Sequence, residues 1–153
     1  MADAKGTIPE FDIHGNLPAG VYQVCLRQVE DRFTWNRRRR ALFAGLKKAL
    51  ANLAAAGVKR VWIDGGFVTA KDMPNDIDGC WEYDASVDVD ELDPVFLDVT
   101  APRVAMKKKY GVDFLIAGSA LLDAGGRSVE EFFQEDRDGN RKGILVVEIG
   151  QQP

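Results

Sequence analysis

Between positions 38 and 56 the apolar residues Leu42, Leu46, Leu50 and Leu53 recur at steps of four, four and three. That spacing lays one stripe along a helix. It predicts a helix over about Arg38–Ala56, with Asn36 as candidate cap and Gly57 as left-handed stop. The pattern then changes. Val58–Phe67 (V-K-R-V-W-I-D-G-G-F) is β-branched and aromatic and ends in two glycines, as a buried strand entering a tight loop does. Further strands are predicted near Asp76–Tyr83, at Val112–Ala117 and at Gly143–Ile149. Thr100 with Pro102 marks a helix start for about Ala101–Tyr110. Ser128 with Glu131 forms a capping box for a short helix to about Glu135, after which Asp138-Gly139 turns the chain. Residues 1–20 read as an irregular leader and Val21–Val29 as a short strand or edge segment. The acidic stretch Asp84–Asp93 lacks helical periodicity and reads as a solvated loop. Helices alternating with strands predict an α/β (α+β) fold, a mixed twisted sheet flanked by helices, in one domain over 21–153.

The length of 153 residues agrees with a single domain, and 46% apolar against 29% charged residues is a globular composition. The formal net charge of −4 argues against a protein that coats DNA through general basicity. Cys25 and Cys80 form no C-x-x-C pair and sit among apolar neighbours, so they read as buried thiols of a reducing compartment. The first residues carry Asp3, Lys5, Glu10 and Asp12 rather than a signal-like apolar stretch. No run approaches the length of a membrane helix, so the expected location is cytoplasmic, with no membrane partner. The single histidine, His14, lies in the leader and gives little support to a histidine-based triad. Arg37–Arg40 is the one strong basic run. Cations at a helix start oppose its dipole, so the plain reading is a solvated end and the sharper one a contact to RNA or phosphate. Lys107–Lys109 read as a solvated helix face or a screen for the acidic loop.

Chemistry concentrates between Asp64 and Asp78. In a strand, side chains two apart share a face, so Asp76 and Asp78 point together while Ile77 enters the core. Two such carboxylates repel unless a divalent cation neutralises them, and hard oxygen ligands suit magnesium or manganese. Gly65 and Gly66 lack Cβ atoms, which lets backbone N–H groups approach a triphosphate. Lys71, in the intervening loop, is a candidate phosphate contact.

A glycine pair, nine residues (Phe67–Asn75), then Asp76-Ile77-Asp78 resembles the hallmark of the DNA polymerase β-type nucleotidyltransferase superfamily: an apolar residue, Gly and Gly or Ser, nine to thirteen residues, then two carboxylates flanking an apolar position. Leu17–Gly20, Asp64–Thr69, Pro74–Asp78, Gln134–Gly139 and Lys142–Ile144 together resemble an uncharacterised bacterial family of small nucleotidyltransferase-like proteins. The resemblance implies a third carboxylate on a later strand. Asp113, within Val112-Asp113-Phe114, is the best match, and Asp98 the second choice. It further implies that Asp76, Asp78 and Asp113 hold Mg2+ (or Mn2+), that Gly65, Gly66 and Lys71 meet an NTP, and that a nucleotidyl group passes to a hydroxyl of RNA, protein or a small molecule. Small superfamily members include the minimal nucleotidyltransferases of toxin–antitoxin pairs, which transfer nucleotides to RNA or protein. A catalytically inactive nucleotide-binding or regulatory module with the same fold is the alternative. Three departures stand out. Gly66 replaces the frequent serine, Gly79 replaces the usual apolar residue after the second carboxylate, and Asp64 adds an acid just before the glycines.

Overall fold

A computed structural model describes residues 6–98, 100, 102–117, 139 and 141–150. The elements are β1 (Gly20–Val24), α1 (Leu26–Phe33), α2 (Arg37–Ala55), β2 (Arg60–Asp64), β3 (Ile77–Glu82), α3 (Val104–Tyr110), β4 (Val112–Ala117) and β5 (Gly143–Glu148). The five strands form one sheet in the order β1-β5-β2-β3-β4. β1 runs parallel to β5 and β3 parallel to β4, while β2 is antiparallel to both β3 and β5. The fold is therefore α+β with a mixed sheet. A parallel pair needs a crossover connection, and residues 83–111, including α3, supply it between β3 and β4.

The strand period of two sorts the sheet into two faces. Val61, Ile63, Ile77, Trp81, Val112, Phe114, Leu145 and Val147 join the main core with Leu42, Leu46, Leu50 and Leu53 of α2 and Val29 and Phe33 of α1. Trp62, Cys80, Ala117, Ile144 and Val146 form a smaller cluster from the alternate positions. Asp64, Asp78, Asp113 and Lys142 have that second parity, so they belong to the face opposite the main core.

Several expectations need correcting. The segment after β1 is helical, because Leu26, Val29 and Phe33 step by three and four and bury Val29 and Phe33. β2 is shorter than Val58–Phe67. Gly65 takes φ +78, and Gly66–Val68 is a 3-10 turn with Phe67 and Val68 fully buried. α3 starts at Val104 rather than Ala101. Arg103 N–H donates to Thr100 O in a turn, and Arg103 itself caps the helix at φ 50, ψ 50. Cys80 is buried but Cys25 only partly so. The acidic 84–93 stretch is a loop that nevertheless buries Val87 and Leu92. The helix expected over Ser128–Glu135 lies outside the described residues. Among the described residues no helix is long and apolar enough to cross a membrane.

Gly79 is explained by close packing. It pairs with Ile63 on one side and Phe114 on the other, and a Cβ there would collide with the Trp62 carbonyl.

Candidate metal centre

Register alone assembles an unusual row. Asp64 of β2 pairs with Asp78 of β3, which pairs with Asp113 of β4, so three adjacent strands present an aspartate at one level. Like charges directly opposite each other destabilise a sheet. Asp76 stands one residue before β3, and one oxygen each from Asp76, Asp78 and Asp113 lie within 4.8 Å of one another. Asp98 is outside this group; its carboxylate accepts from Thr100 N–H at 2.9 Å. The cluster faces a cleft of about 620 Å³, also lined by Asn16, Gly65, Gly66, Thr69, Lys71 and Lys142.

The largest influences on Asp78 all push one way. Burial comes first, then the charges of Asp76, Asp113 and Asp64, and together they push its carboxyl up to about 7. A cation held among these oxygens would relieve that repulsion, so the donor set fits a hard divalent metal.

The flanks of the row are neutralised by residues the sequence did not single out for this. Lys142, just ahead of β5, donates to Asp64 at 2.7 Å in a buried ion pair. Burial still raises the Asp64 carboxyl, with the Lys142 charge and hydrogen bond pulling it down. The extra acid before the glycines is thus matched inside the fold. On the other flank Arg103 Nε donates to Asp113 at 2.5 Å, and Lys107 Nζ sits 3.7 Å from Asp113 and 3.9 Å from Asp76. Lys107 therefore faces the acidic cluster, while Lys109 pairs with Asp93 of the acidic loop, as a screen would.

The glycine loop is built for close approach. At Gly65, with φ +78, an added Cβ would lie 2.8 Å from both Cβ and Cγ of Asp78. Only glycine supplies that backbone and that clearance together. Gly66 is freer, since a Cβ there would meet only Lys71 Cδ at 3.0 Å and Pro74 and Lys71 Cβ farther off. The Lys71 side chain is exposed and lines the cleft.

The arginine run turns out to be the loop's anchor. Arg39 is fully buried and donates to the carbonyls of Phe33, Gly66, Phe67, Thr69 and Lys71. Its guanidinium lies 3.7 Å from the Trp35 ring centroid. Burial lowers it to about 10, against the opposing charge of Asp72. Arg38 holds the far end of the loop through Pro74 O and Asn75 O. A guanidinium, with five donors in a rigid fork, can gather carbonyls in this way, which accounts for arginines where the helix dipole disfavours them. Arg37 and Arg40 remain exposed. Asn36 caps the helix as expected, accepting from Arg39 N–H at 2.8 Å.

Sequence periodicity could bring Asp76 and Asp78 together, because they are local. Arg103 and Lys142 reach the row only through strand order and a left-handed turn. No curated protein and no solved structure matches this chain. A family pattern does match, over residues 9–148, and the chain belongs to that family, DUF6932, a family of unknown function.

Proposed function

We propose that the protein is a metal-dependent nucleotidyltransferase, which binds a nucleoside triphosphate and passes its nucleotidyl group to a hydroxyl. One observation carries the reading: carboxylates from neighbouring strands converge within 4.8 Å in a polar cleft beside a glycine loop. Asp76, Asp78 and Asp113 would hold Mg2+ or Mn2+. When bound, such ions stabilise charge on the entering and leaving oxygens of an in-line displacement. The acceptor oxygen forms a bond to the α-phosphorus, the bond to the β-phosphate oxygen breaks, and pyrophosphate leaves. Asp113 would help to take the hydroxyl proton. Gly65 and Gly66 give the phosphates room, and Lys71 supplies a cation at the cleft wall.

The ion pairs closing on Asp113 favour a second reading, a catalytically inactive nucleotide-binding module whose acidic row is internally satisfied. Incubation with each labelled NTP, magnesium and cellular RNA and protein separates the two. Label transfer is expected, falling about 10²-fold or more in Asp76→Asn, Asp78→Asn and Asp113→Asn and little in Asp98→Asn. Magnesium-dependent nucleotide binding without transfer identifies the inactive module.

A further inference from the structure

Arg103 is the only non-glycine residue with positive φ among the described residues. A left-handed backbone is strained for an arginine, so something holds it there. What it holds is Asp113, through Nε at 2.5 Å and a second nitrogen at 3.5 Å. One helical turn on, Lys107 places its ammonium between Asp113 and Asp76. Both cations thus contact carboxylates assigned above to the metal. Both stand on α3 or at its start, and Lys107 also lines the cleft.

We propose, resting on the metal-dependent reading above, that Arg103 and Lys107 are a built-in counter-ion pair that competes with the divalent cation and transfers to the triphosphate when cation and nucleotide arrive together. The electrostatics require such competition. A divalent ion on the carboxylates that Arg103 and Lys107 contact adds positive charge beside two fixed ones, and like charges held close together repel strongly in a partly buried site. Metal alone therefore binds weakly. Nucleotide brings negative charge that both cations can follow, since Lys107 is half-exposed and long and Arg103 leaves a strained backbone. The triphosphate and the metal then strengthen each other's binding reciprocally, as linkage demands.

Titration of the full chain with Mn2+, followed by the loss of free-ion signal, tests this directly and needs no turnover. Wild type should bind Mn2+ weakly alone and much more tightly with a non-hydrolysable ATP analogue. Lys107→Gln should bind Mn2+ alone roughly tenfold more tightly than wild type, while the tightening produced by the analogue shrinks. Arg103→Asn, whose side chain tolerates the left-handed conformation, should do the same, so the test survives failure of either variant to fold. Mn2+ affinity unchanged or weakened in both variants overturns the counter-ion role and leaves the metal reading standing. Absence of Mn2+ binding in wild type and variants, with or without the analogue, overturns both.

Discussion

A side chain at position 65 has no space to occupy and no comfortable backbone to sit on. Gly65 combines φ +78 with the approach of Asp78, whose Cβ and Cγ would lie 2.8 Å from a new methyl group. Gly65→Ala is expected to cost about 2 kcal/mol or more, and to move the Asp78 carboxylate out of the acidic row. Gly66→Ala meets only the flexible end of Lys71, so its cost should stay within about 1 kcal/mol. Urea unfolding of the two variants measures the difference, and equal losses would contradict the close approach. The missing serine at position 66 is thus a difference in chemistry, the loss of one hydroxyl, and imposes no special backbone.

At the scale of elements, the joint that matters is between the start of α2 and the loop of residues 65–75. Arg39 ties five carbonyls of that region together, four of them in the loop. Arg39→Met strands buried acceptors and should destabilise by at least about 3 kcal/mol. Arg39→Lys should rescue little, because three donors on a point charge cannot span the set. Arg40→Met, on the exposed side, should be nearly neutral by the same thermal or urea measurement. The sequence made the elements more legible than this joint. β4 runs over Val112–Ala117 as its apolar pattern predicts, and β3 and β5 begin or end within a residue of expectation. α1 escaped because a single stripe of Leu26, Val29 and Phe33 is short and follows a real strand, so the β-rich start of the segment dominated. The carboxylates of the site were readable from a spacing of two and, for Asp113, from resemblance. Their counter-charges were not, since Lys142 becomes a neighbour of Asp64 only when β5 inserts between β1 and β2. In the sequence Arg39 is one of four like charges, and only the packed loop distinguishes it from Arg40.

Across the whole molecule, the acidic row makes the metal-free fold sensitive to pH in an unusual direction. Burial, then Asp76, Asp113 and Asp64, raise Asp78 from 3.8 to about 7, and burial raises Asp64 as well. Between about pH 4 and pH 7 the folded chain is therefore expected to hold a proton at Asp78 that the unfolded chain has released, and its stability falls as pH rises through that window. Asp84 and Asp93 act oppositely. Ser86 hydrogen bonds lower Asp84, and at Asp93 burial is outweighed by hydrogen bonds led by Lys109 and Tyr110. Their stabilisation is lost only as the pH falls below about 4, outside the first window. In EDTA the melting temperature should consequently drop between about pH 5 and pH 8. Asp78→Asn, which cannot ionise, should flatten that fall and melt higher than wild type at the alkaline end. Mg2+ or Mn2+ with an NTP should restore the wild-type melting temperature there by mass action, and should leave Asp78→Asn largely unmoved. A wild-type melting temperature that is level or rising from about pH 5 to pH 8 in EDTA would mean that the row is not crowded enough to retain a proton, and that charge crowding at Asp78 does not call for a cation.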